Sequence, residues 1–153
     1  MVKRHASLRD LSSDHHQGLV HARHLVKAAE SPADHAALME TAKAFILFWG
    51  EHTNHHFREE EEVLLPEFAR YGDPSAPPAV RMLVEHVRIR QLVGDLVSQV
   101  DAGAPSPETM GSLGTLLRDH IRHEEDVLFP LIESALPEQA LLALPAAFAA
   151  FDR

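Results

Sequence analysis

Two stretches of this chain align with their prolines in register, His56 to Pro66 lying over His120 to Pro130. Histidine falls on histidine, Arg58 on Arg122, Glu60 on Glu124, Val63 on Val127 and Leu64 on Leu128. So ordered a match is not composition alone, and it divides the chain into two related halves. The period inside each half is helical. Apolar residues recur at three and four, as at Leu8, Leu11, Leu19, Ala22 and Val26, or at Leu83, Val93, Val97 and Val100. Sustained apolar alternation between turn dipeptides, the strand signal, is missing.

Punctuation sets the helix limits. Ser7 and Asp10 read as a capping box opening helix 1, which runs to about Ala29. Helix 2 opens at Ser31 to Asp34 and continues to about Arg70, before Gly72, Asp73 and Pro74. Helix 3 opens at Pro77 and Pro78 and ends near Val100; after the loop from Asp101 to Pro105, Ser106, Pro107 and Glu108 open helix 4, which reaches about Ser134. Proline is tolerated in a first helical turn, so the Ser-Pro and Pro-Pro pairs read as starts. Pro66 and Pro130 instead fall inside helices 2 and 4, and each should kink or end its helix locally. The expected fold is all-α: an up-and-down four-helix bundle over about 7–135, with a short fifth helix over about 137–151, in one domain spanning 1–153.

Composition then narrows the chemistry. With no Cys, thiolate zinc sites, iron-sulfur clusters and thiol nucleophiles are excluded, so any metal must be held by histidine and carboxylate. The net charge of −9 and the lack of a Lys/Arg face argue against nucleic acid. The longest apolar run, Ala140 to Phe151, contains Pro145, and no signal peptide or membrane span is read, so a cytoplasmic protein is expected. Histidine is the abnormal residue, with 12 against 7 Phe, 1 Tyr and 1 Trp.

A polar residue on a core-facing stripe is costly unless it is paired or binds a metal. The stripe of helix 1 passes through His15, and that of helix 3 through His86 and Arg90. In helix 2, His56 and Glu60 are one turn apart; in helix 4, His120 and Glu124 are. Each half thus supplies one His from its first helix and a His-x-x-x-Glu from its second. Four imidazoles and two carboxylates can hold two metal ions with the carboxylates bridging, and the donors suit divalent iron, manganese or zinc. Glu60 and Glu124 also lie in acidic runs of the kind that usually face solvent, and a lone core histidine is more often structural than a ligand. Convergence of six residues by a repeat favours metal. The Glu-x-x-His order of ferritin-like di-iron bundles does not occur.

This pattern, with Phe57 after His56 and prolines after both acidic runs, resembles the hemerythrin-like domains, the HHE cation-binding family, over roughly residues 8–134. The resemblance implies two iron ions in an oxo- or hydroxo-bridged di-iron centre that takes O2 or related small ligands. Carried over, the ligands are His15, His56, Glu60, His86, His120 and Glu124. Arg90 departs from the respiratory members, which have a second third-helix histidine there; the site is then more open, and reversible O2 carriage is in doubt. Arg90 reads as an ion-pair partner of a ligand carboxylate or a nearby Glu. His15 is favoured over the adjacent His16, which lies off the stripe, and Glu124 over Glu125, which has the respiratory spacing from His120. His52 stands as a seventh ligand or as a core or gate residue. His5, His21, His24, His35, His55 and His123 read as surface or supporting residues, Tyr71 and Trp49 as packing, and Met39, Met82 and Met110 as core filler.

Three functional readings follow. The first is a di-iron protein binding or reacting with O2, NO or peroxide. The second is an iron- or oxygen-responsive interaction module whose folding and protein contacts depend on metal occupancy, with Ala140 to Phe151 covering the bundle end or serving as an interface. The third is a His-rich bundle with incidental metal affinity.

Overall fold

The structure, a computed structural model, describes residues 3–151; the outermost two residues at each end of the expected domain lie outside it. Among the described residues every regular element is helical. A single 3-10 turn, Ala6–Leu8, leads into α1 (Arg9–Ala29). A second rod runs without interruption through α2 (His35–Phe48), a π turn (Trp49–Thr53), α3 (Asn54–Glu59), a second π turn (Glu60–Leu64) and α4 (Leu65–Phe68). α5 (Pro77–Asp101) follows; then α6 (Pro107–His123), a third π turn (Glu124–Leu128) and α7 (Phe129–Ala135) form another unbroken rod, and α8 (Glu138–Ala150) completes the chain. α1 packs on α6 and α2, and α5 packs on α6 and α2, which makes a helical bundle. No single helix is long and apolar enough to cross a membrane.

Several starts follow the expected signals. Asp34 accepts the Ala37 N–H at 3.0 Å and caps α2, while Ser106 caps α6 with Pro107 at its first position. Pro77 and Pro78 open α5. Two details differ. The first helical turn is capped by His5 rather than by Ser7: His5 Nδ1 accepts the Ser7 N–H at 3.1 Å, and Ser7 is buried. Pro32 lies in the turn before α2, because Asp34 supplies the better cap.

Neither inner proline ends its rod. Each sits just after a π turn, in which Leu65 N–H bonds to Glu60 C=O and Phe129 N–H to Glu124 C=O, five residues back. A proline removes one N–H and crowds the carbonyl four residues earlier. A wider turn relieves both demands without breaking the helix.

The core has two apolar parts. One joins Leu8, Leu11, Leu64, Phe68, Leu128 and Phe129 to Leu141, Leu144 and Phe148, so α8 covers one end of the bundle. The other gathers Leu25, Phe45, Phe57, Ile89, Leu96, Met110 and Leu113. Met82 and Met110 are core, whereas Met39 is half-buried. The α5 stripe runs through Met82, His86, Ile89 and Val93; Leu83, expected inside, is 39% exposed because it lies one position round the helix. Val127, also placed on the inner stripe, is 45% exposed, on the outer side of its π turn. Tyr71 is half-exposed beyond the end of α4, whereas Trp49 meets Phe57 edge-on at 5.3 Å.

Candidate metal centre

Between the two apolar parts lies a layer of buried polar residues. α1 supplies His15, α3 and its π turn His56 and Glu60, α5 His86, and α6 and its π turn His120 and Glu124. All six are buried, and Glu60, His86, His120 and Glu124 are 0% exposed. One donor atom each from His15, His56, Glu60 and Glu124 lie within 4.8 Å of one another, and so do atoms from Glu60, His86, His120 and Glu124. The two groups share both glutamates.

The inner contacts are His15 Nε2 to Glu124 at 3.0 Å, His56 Nε2 to Glu60 at 3.3 Å, His86 Nε2 to Glu60 at 3.4 Å and His120 Nε2 to Glu124 at 3.3 Å. None has hydrogen-bond geometry: all four Nε2 atoms and both oxygens of each glutamate are buried without a partner. Each such atom costs about 1–3 kcal/mol. Donors held at about 2.0–2.2 Å from one ion sit about 3 Å apart at right angles. The spacing and the unpaired inward lone pairs therefore fit metal ions.

The outer nitrogens are all engaged. His15 Nδ1 meets Glu125 at 2.9 Å, His56 Nδ1 meets Asp14 at 3.0 Å, His86 Nδ1 meets Glu61 at 2.6 Å and His120 Nδ1 meets Glu85 at 3.0 Å. A carboxylate there holds the proton on Nδ1 and turns the Nε2 lone pair inward. The repeat extends to these acids. Asp14 and Glu85 each precede the first-helix histidine of their half, and Glu61 and Glu125 each follow the inward glutamate. Glu125, which the respiratory spacing from His120 offers as a ligand, holds His15 from outside. The signal for the others was the doubled acid-histidine and Glu-Glu pattern.

Arg90 donates to both oxygens of Glu61, at 2.7 and 3.1 Å, so it steadies the acid behind His86. His16 and His52 are exposed and stand apart from the inward set, with His52 at 65% side-chain exposure. Among the supporting histidines, His123 is buried with its Nε2 at 2.9 Å from the Pro78 carbonyl, and His21 stacks on Phe48.

Charge in the layer follows from these contacts. Burial alone would lower the His86 pKa, but the carboxylates of Glu124, Glu60 and Glu61 outweigh it and raise the group to about 10. His120 is likewise raised to about 9 against the effect of burial, chiefly by Glu124 and Glu85, and His15 and His56 are raised too. Glu61, despite partial burial, is held down to about 2 by His86 and Arg90. Glu124 is held well below the usual carboxylate range by the histidines around it, although burial opposes this. Without a metal the surrounding carboxylates favour the protonated form of these histidines, so a metal that enters must displace protons.

A cavity of about 580 Å³ opens between α1 and the second rod and reaches His15, His56 and His120. Its inner end is formed by the edges of these three histidines, whose Nε2 atoms stay buried behind it. A family model described as the hemerythrin HHE cation-binding domain matches residues 7–132. No curated protein and no solved structure matches the chain. The matched span contains all six inward residues and their four outer acids, and the chain belongs to the hemerythrin HHE cation-binding family.

Proposed function

We propose that the protein holds two iron ions in this centre and uses them to bind or react with O2, NO or a peroxide. His15, His56, Glu60, His86, His120 and Glu124 would be the ligands in this reading, with Glu60 and Glu124 common to both donor groups. The observation that carries it is the convergence of unpaired buried donors into two four-residue groups that share both carboxylates. Nitrogen and carboxylate donors suit iron, manganese or zinc, and the family favours iron. Iron would supply electrons and an open position for a small molecule.

The chain's own residues fix the ligands and exclude water. Asp14, Glu61, Glu85 and Glu125 hold the imidazoles in one tautomer. Phe57 stacks on His86 with ring centres 3.7 Å apart, and Phe129 stacks on His15 at 5.5 Å, so aromatic walls dry the two sides. α8 spends Leu141, Leu144 and Phe148 on the bundle, which weighs against the tail as an interface of a metal-responsive module.

Elemental analysis of protein purified without chelator tests the reading, together with near-ultraviolet spectra before and after air, NO or hydrogen peroxide. The expected result is two irons per chain, matching the two donor groups, with bands that change on exposure, and loss of iron in Glu60→Ala and Glu124→Ala. One zinc per chain, or no stoichiometric metal, would overturn it.

A further inference from the structure

The cavity leading to the centre is larger than a diatomic gas requires. At about 580 Å³ it falls among sites for whole organic molecules, roughly 300–1,000 Å³. A water-sized ligand needs about 30 Å³. Ala44, Leu47, Phe48, Leu117 and Ile121 give it apolar walls, while the edges of His15, His56 and His120 form the end nearest the buried donors. Gly18 keeps that wall thin, since a Cβ there would stand 2.8 Å from Ile121 Cδ1.

The charge of the lining selects further. Among the described residues the lining holds no Lys or Arg, whereas it includes Asp14 and Glu51. Away from the histidine end, a carboxylate- or phosphate-bearing group would meet Asp14 and Glu51 without a lysine or arginine to pair with, so the body of the cavity fits a neutral group. The two halves of the bundle also differ at this point. The π turn Trp49–Thr53, in which the Asn54 N–H bonds to the Trp49 C=O, contributes Glu51, His52 and Thr53 to the cavity. The matching stretch of the other half, Leu113 to Leu117, is ordinary α-helix within α6. Isolated π turns are frequent where a helix is reshaped for a site.

We infer that this cavity binds a neutral, apolar organic hydroperoxide, which makes alkyl or aryl hydroperoxides the substrate class of the centre. The inference rests on the di-iron reading above. Reduction of ROOH to ROH and water breaks the O–O bond and takes up two electrons and two protons; a centre holding two ferrous ions would supply one electron from each, and an external one-electron donor acting twice would restore them. The apolar R group lies along Phe48, Leu117 and Ile121, with the peroxide end toward His15, His56 and His120.

The test uses iron-loaded protein and cumyl alcohol, an unreactive product, in calorimetric titration, beside consumption of cumene hydroperoxide and hydrogen peroxide. Ala44→Phe fills the cavity from an exposed position on α2 that has no contact with the centre. Leu47→Glu, at a residue 61% exposed, charges the mouth and serves as the second variant. Saturable binding of cumyl alcohol is expected, weakened about tenfold or more by either variant. Cumene hydroperoxide consumption should fall in parallel with binding, while iron content stays unchanged. No saturable binding, or binding indifferent to both variants, overturns the inference and leaves the di-iron reading standing. Normal binding with iron spectra indifferent to both peroxides overturns the di-iron reaction, and the substrate class with it.

Discussion

Three of the four acids behind the inward histidines are themselves held by an arginine. Arg90 grips Glu61, Arg81 donates to Glu85 at 3.1 Å, and Arg4 donates to the Glu125 carbonyl at 2.6 Å and pairs with its carboxylate at 3.7 Å. Asp14, behind His56, is 56% exposed and lines the cavity instead. Such outer partners orient a ligand and raise its basicity, and their loss typically costs about 10–100-fold in metal affinity. Glu85→Gln and Asp14→Asn should therefore each weaken iron binding by about that factor while leaving the fold intact. A competition titration against a chromophoric chelator measures it, and an unchanged affinity in both variants would make these contacts incidental. The six inward residues were legible in the sequence because i,i+4 spacing and the apolar stripe are properties of one helix at a time. The outer acids were not, because each pairs across helices, and which facing acid lands on which Nδ1 depends on the axial register between them. Even so, Asp14–His15 repeats as Glu85–His86, which is the trace those contacts leave in the sequence.

At the scale of the element, helix starts were readable where Asp34, Ser106 and Pro77 mark them, and the π turns were not. A proline inside a helical pattern announces a disturbance; whether the chain kinks, stops or widens depends on what the neighbouring helices require. Here the wide turns bring successive glutamates to bear on one partner, with Glu124 facing Nε2 of His15 and Glu125 meeting its Nδ1. The close packing of α1 on α6 was equally hidden, since it depends on glycines whose spacing carries no helical signal. A Cβ on Gly114 would lie 2.7 Å from the Ala22 carbonyl oxygen and 2.8 Å from Val26 Cγ2, so the helices must part. A Cβ on Gly18 meets only the mobile end of Ile121. Alanine gains up to about 1 kcal/mol of helix propensity at either place, against about 1–3 kcal/mol for overpacking a tight contact. Gly114→Ala should accordingly lower the unfolding free energy by a net of up to about 2 kcal/mol, and Gly18→Ala should be nearly neutral. Equal effects in urea titrations would show that the α1–α6 spacing is not fixed by Gly114.

Over the whole molecule, two apolar clusters are separated by a layer of histidines and glutamates whose response to pH takes opposite senses without and with a metal. Without metal, His86 and His120 titrate near 10 and 9, above the ordinary histidine value of 6.5. Their contribution to stability is therefore complete below about pH 6.5 and disappears as pH rises through about 9 to 10. With metal bound the imidazoles must be neutral, so acid competes with the ion, and the loaded protein weakens as pH falls. The difference in melting temperature between iron-loaded and chelator-treated protein should consequently widen steadily from about pH 6 to about pH 9.5. Loading at pH 7 should release on the order of two protons or more per chain, from His86 and His120 at least, readable with an indicator dye in weak buffer. A melting difference that is flat across this range, or uptake of iron with no proton release, would mean that the buried pairs are not what the metal displaces. The donors of the layer would then have to be neutral before the ion arrives, and the unpaired Nε2 atoms would need another explanation.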